Sequence, residues 1–325
     1  LTLLSGPSGA VVGGAQLCAA AGFSNLITMD IGGTSLDICV VHEGQFDVTK
    51  AREIDMQPVA VPMLNIHTVG AGGGSIIRVD EVGRVSVGPD SVAANPGPAC
   101  YGRGGTLPTL TDVNVTLGLI NHDTFAQGAL KLDRAAAEAA LLENIGKPLG
   151  LDAAQAAVGV YRVATNQIAE SVQKATIEKG VDPRDFTIVA FGGGGPLHAC
   201  AAAREIGIRT VLVPMHPGLF SARGIALSDF YHDYVQSRVE PLDGADLAAL
   251  DRQFAVLGGE ALRDLKAEEI GEDRRRILRS LDLRYLGQSS EINIPLDEGG
   301  IDPAALTERF HAAHEALYSY RVDGE

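Results

Sequence analysis

Apolar positions along this chain follow two different periods. Between residues 26 and 41 an apolar run, a Gly-Gly turn and a second apolar run succeed one another, which predicts two strands joined as a hairpin. Residues 48–53 and 55–61 are expected to extend the same sheet. A glycine-rich stretch, 67–105, reads as structured loops with short strands at 76–79 and 84–87. The period then becomes helical over 133–144, capped by Asp133, and over 152–179, where Val158, Tyr161, Thr165, Ile168, Val172, Ala175 and Lys179 recur near 3.6-residue spacing and Gly180 supplies the stop. A buried strand at 187–191, glycines 192–195, a helix at 196–206 and a strand at 210–213 form a strand-turn-helix-strand unit. At the front, residues 5–10 read as a loop feeding a helix at 11–21.

Beyond Val235 the chain is more charged, with helices predicted at 244–269 and 303–318 and strands at 280–285 and 291–294. The expected division is therefore a large α/β unit, 1–235, and a small α+β module, 236–325. A length of 325 residues with 46% apolar and 21% charged residues suits that division. The formal net charge of −15, with acid dispersed among Arg and Lys, argues against nucleic acid or an anionic membrane as partner. No run approaches the roughly 18 apolar residues of a membrane-spanning helix, and the first twelve residues lack the basic flank of a signal peptide, so the cytoplasm is expected. Cys18, Cys39, Cys100 and Cys200 form no CxxC pair and read as free thiols. The stretch opens without Met and stops where an amphipathic segment ends, so a chain cut at both ends is expected.

Two glycine clusters carry the chemistry. Asp30-Ile31-Gly32-Gly33-Thr34-Ser35-Leu36-Asp37 sets two glycines and a hydroxyl in a turn between apolar strands, flanked by carboxylates. Glycine brings backbone N–H groups close to phosphate oxygens because no Cβ intervenes. Thr34 can bond a phosphate directly, whereas Asp30 and Asp37 need a magnesium ion or its waters in between. The plainer alternative is a hairpin turn with Asp30 as its cap. Phe191-Gly192-Gly193-Gly194-Gly195-Pro196-Leu197-His198 ends a strand and starts a helix, a place where a base or ribose can lie on the backbone and phosphate is favoured. It is neither a Walker A loop nor a GxGxxG fingerprint. His198 is a ligand, a base or a helix residue facing the sheet, and the last is preferred.

The two motifs together resemble the second phosphate loop and the adenosine loop of the actin, heat-shock-chaperone and sugar-kinase superfamily. Within it, Ser5-Gly6-Pro7-Ser8-Gly9, the run from His67 to Ser75, Asn95-Pro96-Gly97-Pro98-Ala99-Cys100-Tyr101, Thr111-Asp112-Val113-Asn114 and Asp182-Pro183-Arg184-Asp185-Phe186 look like the hydantoinase A/5-oxoprolinase family. The resemblance implies a ribonuclease-H-like lobe, with ATP held between it and a first lobe that this stretch lacks. It also implies ATP-driven phosphorylation of an amide or carbonyl oxygen, with Mg2+ or Mn2+, in an oligomer that includes a hydantoinase B-like subunit or fused domain. By that resemblance Asp30, Asp37 and Asp112 serve the metal or its water shell, Gly32, Gly33 and Thr34 the phosphates, and Gly192, Gly193, Gly194 and Gly195 the adenosine. His67 stands between substrate contact and a bond to a turn carbonyl, and Asp112 and Asn114 are open to a plainer use as caps of a helix at 113–119.

Three functions compete: ATP-dependent hydrolysis of a cyclic amide such as a hydantoin, N-methylhydantoin or 5-oxoproline, ATP-dependent carboxylation of a ketone such as acetone or acetophenone, and a non-catalytic nucleotide-binding module. The loops at 67–105 favour an enzyme over the last.

Overall fold

In the computed structural model the first helix, α1 (Ser5–Ala20), begins six residues earlier than the sequence pattern suggested. Pro7 lies in its first turn, where a missing backbone N–H forfeits no intrahelical bond. The residues described are 5–46, 48–49, 52–54, 57–59, 63–229, 231–297 and 300–322. Two compact units account for the chain, Leu1–Asp229 and Phe230–Glu325.

In the first unit, β1 (Leu26–Ile31) and β2 (Leu36–His42) form the predicted hairpin, in register from Leu26 opposite Val41 to Ile31 opposite Leu36. The outer edge of β2 is shared by β3 (Gln45–Phe46) at one end and β8 (His67–Val69) at the other. The described residues in between do not extend this sheet. β4 (Val48–Thr49) pairs with β7 (Met63–Leu64), and β5 (Arg52–Ile54) with β6 (Gln57–Val59), each as a separate two-stranded sheet, while 50–51, 55–56 and 60–61 lie outside the described residues. β8 (His67–Val69) then returns to β2. β9 (Ser75–Val79) and β10 (Val85–Ser91) form a hairpin of their own.

Among the helices, α2 (Leu110–Thr116) starts at a Thr109–Asp112 capping box. α3 (Arg134–Leu141) starts at the predicted Asp133 cap and continues through a π turn, Leu142–Gly146, into α4 (Lys147–Leu149). α5 (Ala153–Ile177) starts at an Asp152–Gln155 capping box, and Gly180 follows its end at φ +68°. β11 (Thr187–Phe191), α6 (Gly195–Ile206) and β12 (Thr210–Leu212) realise the strand-turn-helix-strand unit, and α7 (Phe220–Leu227) closes the unit.

The main sheet runs β12-β11-β1-β2-β3, with β1, β11 and β12 parallel and the β1–β2–β3 meander antiparallel. This is the ribonuclease-H-like α/β arrangement expected. Helices cover both faces, which is why the central strands read as unbroken apolar runs. Ile27, Met29, Ile31, Leu36, Ile38 and Ile188 pack on Ile168, Val172, Ala199 and Ala203 of α5 and α6. Leu26, Cys39, Val41, Val189 and Phe191 pack on Ala10, Val11 and Cys18 of α1 and Phe220 of α7. Each fully buried Leu or Ile here contributes about 1.5–3 kcal/mol.

The second unit contains α8 (Leu247–Ala267), the hairpin β13 (Ser280–Leu283) and β14 (Ile292–Pro295), and α9 (Pro303–Tyr318). Tyr285, Ile294, Leu306 and Phe310 form its core, into which His311 and His314 are also buried. No helix among the described residues is long and apolar enough to cross a membrane.

Candidate functional site

Asp30, near the end of β1, stands directly opposite Asp37, near the start of β2. Antiparallel partners project to the same face, and the even-numbered Leu26 and Thr28 with Cys39 and Val41 place that face toward α1 and α7. Two carboxylates so placed repel each other. Burial pushes the Asp30 carboxyl above the usual carboxylate range and the Asp37 charge pushes it the same way, while a hydrogen bond from Ser221 at 3.3 Å partly opposes both. Asp37 accepts from Thr68 Oγ1 at 2.6 Å and from Ser35 Oγ at 3.3 Å.

The turn between the two aspartates is open outward and braced from behind. Gly32 N–H donates to Ser35 O at 3.0 Å, and Gly32, Gly33 and Thr34 are exposed. Gly73 and Gly74 donate to the carbonyls of Gly32 and Gly33, at 2.9 and 2.6 Å. A Cβ on Gly72 would stand 2.5 Å from the Thr34 backbone, so only glycine permits this contact. The glycine run at 70–74 is thus a buttress for the Gly32–Gly33 turn. A Cβ on Gly33, by contrast, would meet nothing within 4 Å, so packing within the protein does not explain a glycine there.

Gly192–Gly195 arrives at the same edge of the sheet because β11 runs parallel to β1. Gly192 has φ +75°, and a Cβ on it would lie 2.3 Å from Asp30 Oδ1. Its N–H donates to Pro217 O at 3.0 Å, and Gly194 N–H donates to Ile31 O at 2.9 Å. The 12-residue helix α6 therefore begins beside the end of β1, directing its partial positive charge to the edge where the aspartates and the open turn lie. Gly193, like Gly33, has empty space where its Cβ would be.

Two predicted site residues, His67 and Asp112, are placed elsewhere. His67 is registered opposite Ile38, whose side chain belongs to the α5–α6 core, and its Nε2 lies 3.6 Å from Glu178 Oε2 at the end of α5. Strand alternation thus assigns Thr68, not His67, to the aspartate face. Asp112 does not join Asp30 and Asp37: its carboxylate is fully buried and accepts from Cys100 N (2.8 Å), Ala99 N (3.3 Å), Thr109 N (2.9 Å) and Thr109 Oγ1 (2.8 Å). Its capping role is real, as the third residue of a helix that starts at Leu110 rather than 113. His198 is the buried helix residue preferred above, stacked on Tyr161 with ring centroids 5.0 Å apart, and burial pushes its imidazole down to about 4.

Residues 1–234 match the sequence profile described as Hydantoinase/oxoprolinase. The chain belongs to the hydantoinase/oxoprolinase family. Among relatives it is similar to the caprolactamase subunit alpha of Pseudomonas jessenii, 38% identical over 97% of this chain and 46% of that one. The crystal structure of that ATP-dependent caprolactamase superposes with a TM-score of 0.78 at 36% identity, covering 98% of this chain and 47% of that one. The acetophenone carboxylase gamma subunit of Aromatoleum aromaticum is 36% identical over 88% of this chain and 40% of its own length. The nucleotide-free structure of an acetone carboxylase, described as acting by ATP-dependent acetone carboxylation, superposes with a TM-score of 0.82 at 29% identity, over 97% of this chain and 46% of that one. The chain spans about half the length of the curated relatives it matches.

Within this hydantoinase/oxoprolinase lobe the donors at the sheet edge are hard oxygens, from Asp30, Asp37 and the Ser35 and Thr34 hydroxyls. They suit a small divalent cation that keeps several waters and takes further oxygens from a phosphate. No group of three His, Cys, Asp or Glu side chains that could hold a metal ion is found among the described residues. The exposed turn, the start of α6 and the bare glycines can cradle an anion of some extent.

Proposed function

We propose that this lobe binds ATP with Mg2+ or Mn2+ and serves an enzyme that hydrolyses a cyclic amide of the hydantoin, 5-oxoproline or lactam type. The observation that carries this reading is the convergence at one sheet edge of the Asp30–Asp37 pair with two glycines, Gly33 and Gly193, whose bareness no neighbour within 4 Å requires. Asp30, Asp37 and the hydroxyls nearby would hold the cation, which supplies charge neutralisation to the phosphates. Gly32, Gly33 and Thr34 would bind the phosphates, and Gly192–Gly195 the adenosine.

The reaction class proposed is the one the family membership suggests. The ring carbonyl oxygen attacks the γ-phosphorus, its bond to the β-phosphate oxygen breaks, and the phosphorylated imidate formed is far more open to water at carbon than the parent amide. Such a transfer relies on alignment and electrostatics rather than a covalent nucleophile, which matches a site rich in backbone donors. Similarity to a caprolactamase subunit supports the amide as substrate. The superposition on acetone carboxylase supports a second reading, in which a ketone enolate is activated for carboxylation by the same lobe. A hydantoinase B-like subunit or fused domain would complete either enzyme, and subunit designations among the relatives support an assembly.

The deciding experiment measures ATP hydrolysis by the full-length protein with its partner against 5-oxoproline, hydantoins, a lactam, and ketones with bicarbonate. Stimulation by ring amides is expected. Stimulation by ketone and bicarbonate alone would move the reading to carboxylase, and no stimulation by any of them would leave a nucleotide-binding module.

A further inference from the structure

We propose that α2 is a positioning element that couples nucleotide occupancy at Gly192–Gly195 to the loop around Ala99–Tyr101, with the contact between Asn114 and His198 as its joint. The inference rests on the nucleotide reading given above.

All seven residues of α2 are buried, and its polar side chains engage three separate parts of the unit. Thr111 donates both its N–H and its hydroxyl to Gly73 O, each at 2.8 Å, and Gly73 in turn braces the Gly32 carbonyl. Asp112 holds the amides of Ala99 and Cys100. Asn114 Nδ2 lies 3.2 Å from His198 Nε2, in the first turn of α6 directly behind Gly192–Gly195. One short helix thus connects the open turn, the 99–101 loop and the second glycine cluster.

The joint is not explained by packing economy. His198 is neutral, because burial pushes it down to about 4, so one ring nitrogen accepts and the other donates. With Asn114 Nδ2 donating to Nε2, the ring proton sits on Nδ1. Asn114 Oδ1 and His198 Nδ1 are both buried without a hydrogen-bond partner among the described residues. Leaving such groups unmatched costs about 1–3 kcal/mol each, whereas a Leu against a Phe would fill the same seam without that cost. A polar contact retained against stability, where Asn114 of α2 meets His198 of the glycine-loop helix, fits a joint that must hold a defined geometry. Spatial continuity alone does not establish coupling, so the coupling itself has to be measured.

The measurement is hydrogen exchange on the full-length protein with and without magnesium and a non-hydrolysable ATP analogue. In the wild type, the analogue is expected to slow exchange at 192–195 and also, at least ~5-fold, at Ala99 and Cys100. The double variant Asn114→Leu/His198→Phe removes both polar partners and keeps a ring against Tyr161. It should still bind the analogue and show protection at 192–195 while losing the slowing at 99–100. His198→Gln, which keeps a neutral acceptor toward Asn114, should retain the slowing and serves if the double variant does not fold. Slowing at 99–100 that persists undiminished in the double variant overturns the proposal. So does a wild type that binds the analogue with no response at 99–100, which leaves the nucleotide reading standing. A wild type with no protection at 192–195 removes both.

Discussion

Thr68 donates its hydroxyl to Asp37 Oδ1 at 2.6 Å, while the adjacent His67 lies beside Glu178 on the other side of the sheet. The alternation of one strand separates a residue that orients the proposed cation site from one that does not. Thr68→Val removes a bond to a charged acceptor on an exposed edge, a loss of about 1 kcal/mol, and should raise the magnesium requirement of ATP turnover roughly fivefold. His67→Gln should leave that requirement unchanged. A magnesium titration of turnover for both variants checks the pair, and the reverse pattern would restore His67 to the site.

Asp30→Asn should lower metal-dependent ATP turnover by at least about 100-fold, as expected for loss of a preorganised electrostatic group. Stability should move the other way. Because burial and Asp37 hold the Asp30 carboxyl above its ordinary range, ionised Asp30 weighs against the cation-free fold. That deficit is complete above the raised folded value and vanishes below the ordinary carboxylate value. In chelator at neutral pH the variant should therefore melt at or above the wild type; a clear drop would mean that Asp30 is chiefly structural.

The glycines divide into two groups with opposite expected behaviour. Gly33→Ala and Gly193→Ala add a methyl to empty space and should change stability by less than about 0.5 kcal/mol while weakening ATP binding. Gly72→Ala and Gly192→Ala drive a Cβ into backbone or into Asp30, and should cost about 1–3 kcal/mol or more. Denaturant melts alongside nucleotide titration separate the groups.

Asp112→Asn turns an amide N–H2 toward buried N–H donors, so stability should fall by about 2 kcal/mol or more, with magnesium affinity unaltered. Weakened magnesium binding in a fully folded variant would return Asp112 to the metal site.

His198 gives the protein an acid-side weakness. Its folded value of about 4 lies below the ordinary histidine value of about 6.5, so the unfolded chain binds more protons between the two and stability is lost as pH falls through that window. The loss attributable to this residue is about 2 kcal/mol by pH 5. Denaturation midpoints at pH 7 and pH 5 should converge by that amount in His198→Phe.

Much of this was legible in the sequence where local rules decide the outcome. The β1–Gly-Gly–β2 hairpin, the Asp133 cap, the helix starting at 152 and the strand-glycine-helix unit at 187–206 are each encoded within a few residues. Asp30 and Asp37 could be paired because their strands are joined by a short turn. Ser221 reaches Asp30 from 191 residues away, and nothing local marks it. Thr68 was recoverable only through the register of β8 on β2, which alternation alone does not supply. The early start of α1 was hidden because Gly and Pro near a helix start read equally well as loop.

The contact between α1 and α7 has a bearing on how the lobe is made. A Cβ on Gly224 would fall 1.8 Å from Gly9 O, so the two helices meet backbone to backbone, although more than two hundred residues of chain separate them. Along a chain emerging from the ribosome, α1 appears before α7 and waits unclasped while the roughly two hundred residues between them are synthesised. Until Gly224 emerges, the face of the sheet that bears Asp30 and Asp37 lacks one of its two covering helices, and a folding step that joins such distant partners is expected to be slow.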